Sequence, residues 1–173
     1  MRKTIFNEVH NLVSTQMFTL DSFIWTYPLK RMNHKVLYKH WEGYTDSLRK
    51  MDINYPKYEA LLNLYYTPKL AKEFCEVHCH FETARKTVRR YWRKCAVKKC
   101  TPEEKMKTMM GAVDEKDIPY QVKTKIESCL QPRKIKLSNK SNQYPIRTYI
   151  QCVVANTRNA VIHFSRELVT AHK

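Results

Sequence analysis

The sequence predicts an all-α protein with helices on an extended path, and three observations support this class. Glycine occurs only twice in 173 residues, at Gly43 and Gly111, against a usual share of about 7%. This scarcity disfavours turn-rich folds and the glycine-dependent loops that bind nucleotide phosphates. Apolar residues recur every three or four positions, which is the period of a buried helical stripe. Helix-start signals also occur at Thr67 and Thr101.

The first part of the chain contains three predicted helices. An amphipathic stretch occupies about the first 30 residues and ends in the apolar segment "FIWTYP", which Pro28 closes. A second helix is expected from Asn33 to Lys50. A short third helix is expected from Asn54 to Tyr66 and opens near Pro56, because proline is tolerated in the first turn of a helix.

The clearest predicted helix begins at Thr67, whose hydroxyl can cap it, and at Pro68, which needs no amide partner. Neither glycine nor proline interrupts the chain before Thr101. The next helix starts there, because Thr101 and Glu104 have the spacing of a capping box. The apolar stripe of the first of these helices is formed by Leu70, Phe74, Val77, Phe81, Ala84, Val88 and Trp92.

The rest of the chain is predicted to contain two further helices. One follows Pro119 and stops at Pro132, and the last begins after Pro145. The β-branched residues of "IRTYIQCVV" also allow a strand there, but the scarcity of glycine favours helix. We therefore divide the chain into an N-terminal helical arm (1–50), a central helical core with paired cysteines (51–132), and a basic linker with a C-terminal helix (133–173).

Four of the six cysteines form two close pairs in "FCEVHCHFETARKTVRRYWRKCAVKKC". One interpretation is a helical hairpin closed by two disulfides, Cys75 to Cys100 and Cys79 to Cys95. The other is one long helix, which would hold Cys79 and Cys95 about 24 Å apart, beyond the reach of about 7 Å of a disulfide. The unbroken stripe favours the long helix and the pairing favours the hairpin, so both remain open. A third interpretation treats each cysteine as a small buried hydrophobe.

This cysteine segment resembles a known motif. The arrangement Cys75-x3-Cys79, fifteen residues, then Cys95-x4-Cys100 is similar to the twin Cys-x3-Cys signature of the small translocase chaperones of the mitochondrial intermembrane space. Those proteins are disulfide-bridged helical hairpins. The second pair departs from the signature by one residue, and the resemblance ends at Cys100. It implies a hairpin and a location, and chaperone activity is not carried over.

Zinc is a competing interpretation of the same segment. Sulfur and nitrogen ligands sufficient for a four-coordinate structural site come from Cys75, His78, Cys79, His80, Cys95 and Cys100. Cys129 and Cys152 stand apart from this segment, and we expect them to be core residues, with a mutual disulfide as the alternative. The sequence shows no Cys-x-x-Cys motif and no thiol paired with a base. We therefore predict no catalytic residue and no cofactor.

Positive charge dominates the chain and is concentrated in one stretch. Lys and Arg total 32 against 16 acidic residues, for a formal net charge of +16. On a helix the cations of this stretch align in a ridge beside the apolar stripe. Such a ridge suits cardiolipin head groups, an rRNA backbone or an acidic protein surface. The predicted anion-binding residues are Arg85, Lys86, Arg89, Arg90, Arg93, Lys94, Lys98 and Lys99.

Together these features predict a non-enzymatic accessory subunit of a large mitochondrial inner-membrane assembly, either a respiratory chain complex or ATP synthase. We expect it to contact other protein subunits and to lie peripheral to the membrane, on the intermembrane-space side. No apolar run approaches the about 18 residues that a membrane-spanning helix needs. The alternative is a mitochondrial ribosomal protein that binds rRNA through the basic ridge.

Overall fold

The computed structural model describes residues 1–26, 34–93, 97, 99–101, 103–104, 107, 111–133, 135–137 and 141–173. Within these ranges the chain is predominantly helical, which confirms the all-α class. Five α-helices lie entirely within the described residues: α1 (Arg2–Thr26), α2 (His34–Tyr65), α3 (Pro68–Tyr91), α4 (Tyr120–Leu130) and α5 (Ile146–His172). Single 3₁₀ turns occupy Glu115–Asp117 and Gln131–Arg133.

Helix α2 is continuous, so the prediction of two separate helices on either side of residues 51–53 is wrong. Pro56 lies inside the helix, where it removes the N–H that would otherwise bond to the carbonyl of Asp52 and costs about 3 kcal/mol. Buried residues on both sides, including Met51, Tyr58 and Leu62, favour one uninterrupted helix. Tertiary packing has here outweighed the local signal.

Helix α3 matches its prediction closely. The backbone N–H of Leu70 donates to the Thr67 hydroxyl at 3.1 Å, which is the expected N-cap bond. The capping box also forms further along the chain, since Thr101 and Glu104 exchange two hydrogen bonds of 3.0 and 3.1 Å. Every member of the predicted apolar stripe is buried, namely Leu70, Phe74, Val77, Phe81, Ala84, Val88 and Trp92.

A small antiparallel sheet was not predicted. Its strands are β1 (Ala112–Asp114), β2 (Ile135–Leu137) and β3 (Ser141–Pro145), in the order β1-β3-β2. Val113 pairs with Tyr144, and Lys136 pairs with Asn142. Part of the stretch predicted as a basic linker is therefore strand. Strands β1 and β3 are far apart in the sequence, so patterns of neighbouring residues could not predict that they pair.

The described chain forms two compact units that do not follow the three predicted segments. The first contains residues 1–82 and 157–173, and the second contains residues 83–156. In the first unit Phe23 packs against Trp41 and Tyr44, and Phe74 packs against Phe164. The core of the second unit includes Val88, Trp92, Val113, Ile118, Ile126, Leu130, Tyr144, Ile150 and Val153.

Candidate functional site

The C-terminal part of α3 and the residues after it carry a group of exposed cations that we call the basic face. Lysine and arginine recur at helical spacing on a side of the helix that the buried stripe does not occupy, and Lys99 follows the helix. Arg85 is half-buried and has interaction partners, and the predicted residues Lys94 and Lys98 lie outside the described residues. The basic face comprises Lys86, Arg89, Arg90, Arg93 and Lys99, all exposed.

No carboxylate in the described ranges forms an ion pair with any cation of the basic face. Arg89 and Arg90 occupy the last turn of α3, where the partial negative charge of the helix end stabilises cations by about 0.3–1 kcal/mol each. The helix end therefore stabilises two of the five cations of the basic face, Arg89 and Arg90. Mutual repulsion among the remaining charges is relieved when an anion binds.

The aromatic residues beside the basic face are engaged in packing. Trp92 is buried, with 1% of its surface exposed, so it has no face free to stack on a nucleic acid base. Tyr91 is half-buried and meets Tyr149 edge to face, with ring centroids 5.9 Å apart. The Arg90 guanidinium lies 5.4 Å from the Tyr91 ring centroid. The basic face therefore offers charge without a stacking platform.

The structure does not form the two disulfides of the hairpin interpretation, Cys75 to Cys100 and Cys79 to Cys95. Cys75 and Cys79 are not in disulfides, although both were disulfide candidates in the hairpin interpretation. Helix α3 continues to Tyr91, which leaves no turn between Cys79 and that residue, and the buried stripe explains this continuity. Cys100 is in a disulfide, and Cys95 lies outside the described residues.

The second unit contains a disulfide that the sequence offered only as an alternative. Cys129 on α4 is bonded to Cys152 on α5, with the two Cα atoms 5.7 Å apart. Cys152 is 1% exposed, so its placement in the core is also confirmed. Because residues 129 and 152 lie in separate helices, their proximity depends on how α4 packs against α5 and not on any local motif.

The predicted cysteine-rich zinc set is not assembled by the described residues. Cys100 is oxidised and cannot offer a thiolate, while His78 joins a different group. That group is Asp52, His78 and Glu82, whose ligand atoms all lie within 4.8 Å of one another. Sequence reasoning missed the two carboxylates. The four-residue spacing of His78 and Glu82 could have predicted that these two side chains share one face of a helix. No sequence pattern indicated that Asp52 lies beside them.

Comparison with protein-family models, curated proteins and solved structures finds no match for this chain. Among its described helices, none combines the length and apolar character that crossing a membrane requires.

Proposed function

We propose that this protein is a non-catalytic accessory subunit that binds a polyanionic surface through its basic face. The observation that carries the proposal is the set of five exposed cations without carboxylate partners in the described ranges. Phosphate groups spaced along a surface would neutralise these charges together. Cations near an anionic membrane surface contribute about 1 kcal/mol each.

The location that we propose is the intermembrane-space side of the mitochondrial inner membrane, within a respiratory chain or ATP synthase assembly. Disulfides persist in oxidising compartments and are rare in reducing ones, and the pair Cys129–Cys152 supports an oxidising compartment. It favours this location over a ribosomal role in a reducing one. Because Cys75 and Cys79 are unbridged, the resemblance to the twin-cysteine chaperones adds little to this argument.

Cardiolipin is the phosphate source to test first. The measurement is co-sedimentation of the full chain with vesicles of phosphatidylcholine, with and without cardiolipin, over a range of salt concentrations. A triple variant of the basic face, K86Q/R89Q/R90Q, removes three cations. At about 1 kcal/mol per cation, we expect its affinity for the cardiolipin vesicles to fall about 100-fold at low salt.

A matched variant controls for net charge. K50Q/K72Q/K125Q removes the same number of cations from exposed positions elsewhere on the described chain, and we expect it to bind nearly as well as the wild type. Equal losses in the two variants would refute a localised basic face. Salt-sensitive binding to mixed-sequence RNA, without binding to the vesicles, would replace the membrane proposal with the ribosomal one.

A further inference from the structure

The first unit contains a mixed cluster of side chains that can bind metal. His78 and Glu82 lie one helical turn apart on α3, and Asp52 faces them from α2. All three are half-buried, and one ligand atom from each lies within 4.8 Å of the other two. The Nε2–H of His78 donates to Oδ1 of Asp52 at 2.9 Å.

The helices that carry the cluster are held in place by specific contacts. The Tyr44 hydroxyl on α2 donates to the carbonyl of Phe81 on α3 at 3.4 Å. Tyr55 stacks against Phe74 at 5.4 Å and against His78 at 4.4 Å between ring centroids. These contacts pair α2 and α3 in antiparallel directions. Sites on rigid elements hold ligands more precisely than sites on loops.

The histidine ring is also fixed by its surroundings. Its plane lies 19° from that of Tyr55, with the two ring centroids 4.4 Å apart. Burial, together with the nearby Cys75 and Glu59 side chains, raises the pKa of Tyr55. The Tyr55 ring therefore packs against one face of the His78 imidazole.

We propose that Asp52, His78 and Glu82 form a binding site for a divalent transition-metal ion, with Zn²⁺ as the best match. One imidazole nitrogen and two carboxylate oxygens are established ligand types for zinc. Ligands of a tetrahedral zinc ion lie about 3.4 Å apart. The three ligand atoms lie within 4.8 Å of one another, so the side chains would have to draw closer together around a bound ion.

Binding would replace the hydrogen bond between His78 and Asp52 with two metal bonds. The His78 proton moves to Nδ1, or leaves if the ring was charged, and Nε2 then offers its lone pair. The two carboxylates balance the charge of the ion. Three protein ligands leave a fourth position for water, and the ion would join α2 to α3.

This inference goes beyond the proposed function, because it concerns the first unit and needs no contribution from the basic face. The experiment titrates the full chain with Co²⁺ in the absence of chelators and thiol reductants, and then displaces the Co²⁺ with Zn²⁺. We expect one ion per chain and no sulfur-to-cobalt charge-transfer band. We also expect Zn²⁺ to raise the melting temperature of the wild type.

The variants D52N, H78Q and E82Q remove one ligand each while preserving side-chain size. We expect each to weaken binding at least about tenfold and to lose the thermal shift, with far-UV circular dichroism confirming that the chain is folded. The matched controls are D46N on α2, E76Q on α3 and H163Q on α5, which alter exposed residues outside the cluster. We expect them to bind as the wild type does.

Three results would overturn the site. The first is the absence of stoichiometric binding to the wild type. The second is equal affinity in the ligand and control variants. The third is a charge-transfer band that disappears in C75S or C79S, which would assign the metal to thiols.

Discussion

Gln16 provides the sharpest test of the packing in the first unit. It lies on the buried side of α1 between Val13 and Leu20, and its side chain is 0% exposed. Neither its amide nitrogen nor its amide oxygen has a hydrogen-bond partner among the described residues. A buried polar group without a partner costs about 1–3 kcal/mol.

The substitution Q16M removes both polar atoms and keeps a side chain of similar length and volume. We therefore expect the free energy of unfolding to rise by about 1–3 kcal/mol. For a chain of this size each kcal/mol raises the melting temperature by about 2–4 °C. Circular dichroism during urea and thermal unfolding measures both quantities.

The matched control is Q121M, because Gln121 is exposed on α4 and surface substitutions usually change stability by less than about 0.5 kcal/mol. Q16A should destabilise the protein, since it leaves a cavity where Q16M fills the space. A Q16M protein that is no more stable than the wild type would refute the reasoning. In that case the amide is hydrogen-bonded in solution, for example to an internal water molecule.

Three further predictions concern the helices and the second unit. G43A should stabilise α2 by about 1 kcal/mol in urea unfolding, because a Cβ at Gly43 meets nothing within 4 Å; a destabilised variant would contradict this. Peptide mass mapping should show Cys129 alkylated only after reduction, and labelling without reduction would disprove the bridge. The bridge spans 23 residues, so the free energy of unfolding of C129S/C152S should be lower by about 3 kcal/mol. Burial raises the pKa of Tyr149 above 10.0, so its contribution to stability is present below about pH 10 and is lost as the pH rises further. Ultraviolet titration should reveal a late-ionising tyrosine that is missing in Y149F, and an unchanged titration curve would count against its burial.

The helix caps and the buried stripe of α3, which depend on neighbouring positions, were predicted correctly. The cap at Thr67, the capping box of Thr101 and Glu104, and the long stripe of α3 all follow from side chains three or four residues apart. The same stripe favoured one long helix over the hairpin. The paired cysteines favoured the hairpin equally strongly, so the sequence did not decide between the two. Cysteine spacing does not specify which sulfur atoms meet, because that depends on the path of the chain.

The missed features depend on contacts between distant parts of the chain. Pro56 reads locally as a helix start, and only the burial on both sides of it explains the continuous α2. Strand β1 gains its partner from residues about thirty positions later. The candidate basic face was predictable because its residues are close neighbours in the sequence, whereas Asp52 reaches His78 across 26 positions.

The amino-acid sequence determined the helical class, the helix caps and the ridge of positive charge, because helical periodicity, capping and charge are properties of neighbouring residues. Tertiary structure decided which cysteines are bonded, that Gln16 is sealed in a core, and that a histidine from α3 meets a carboxylate from α2. The physical reason is that disulfides, cores and ligand clusters need atoms within a few ångströms. For residues far apart in the chain, that proximity exists only after the helices have packed.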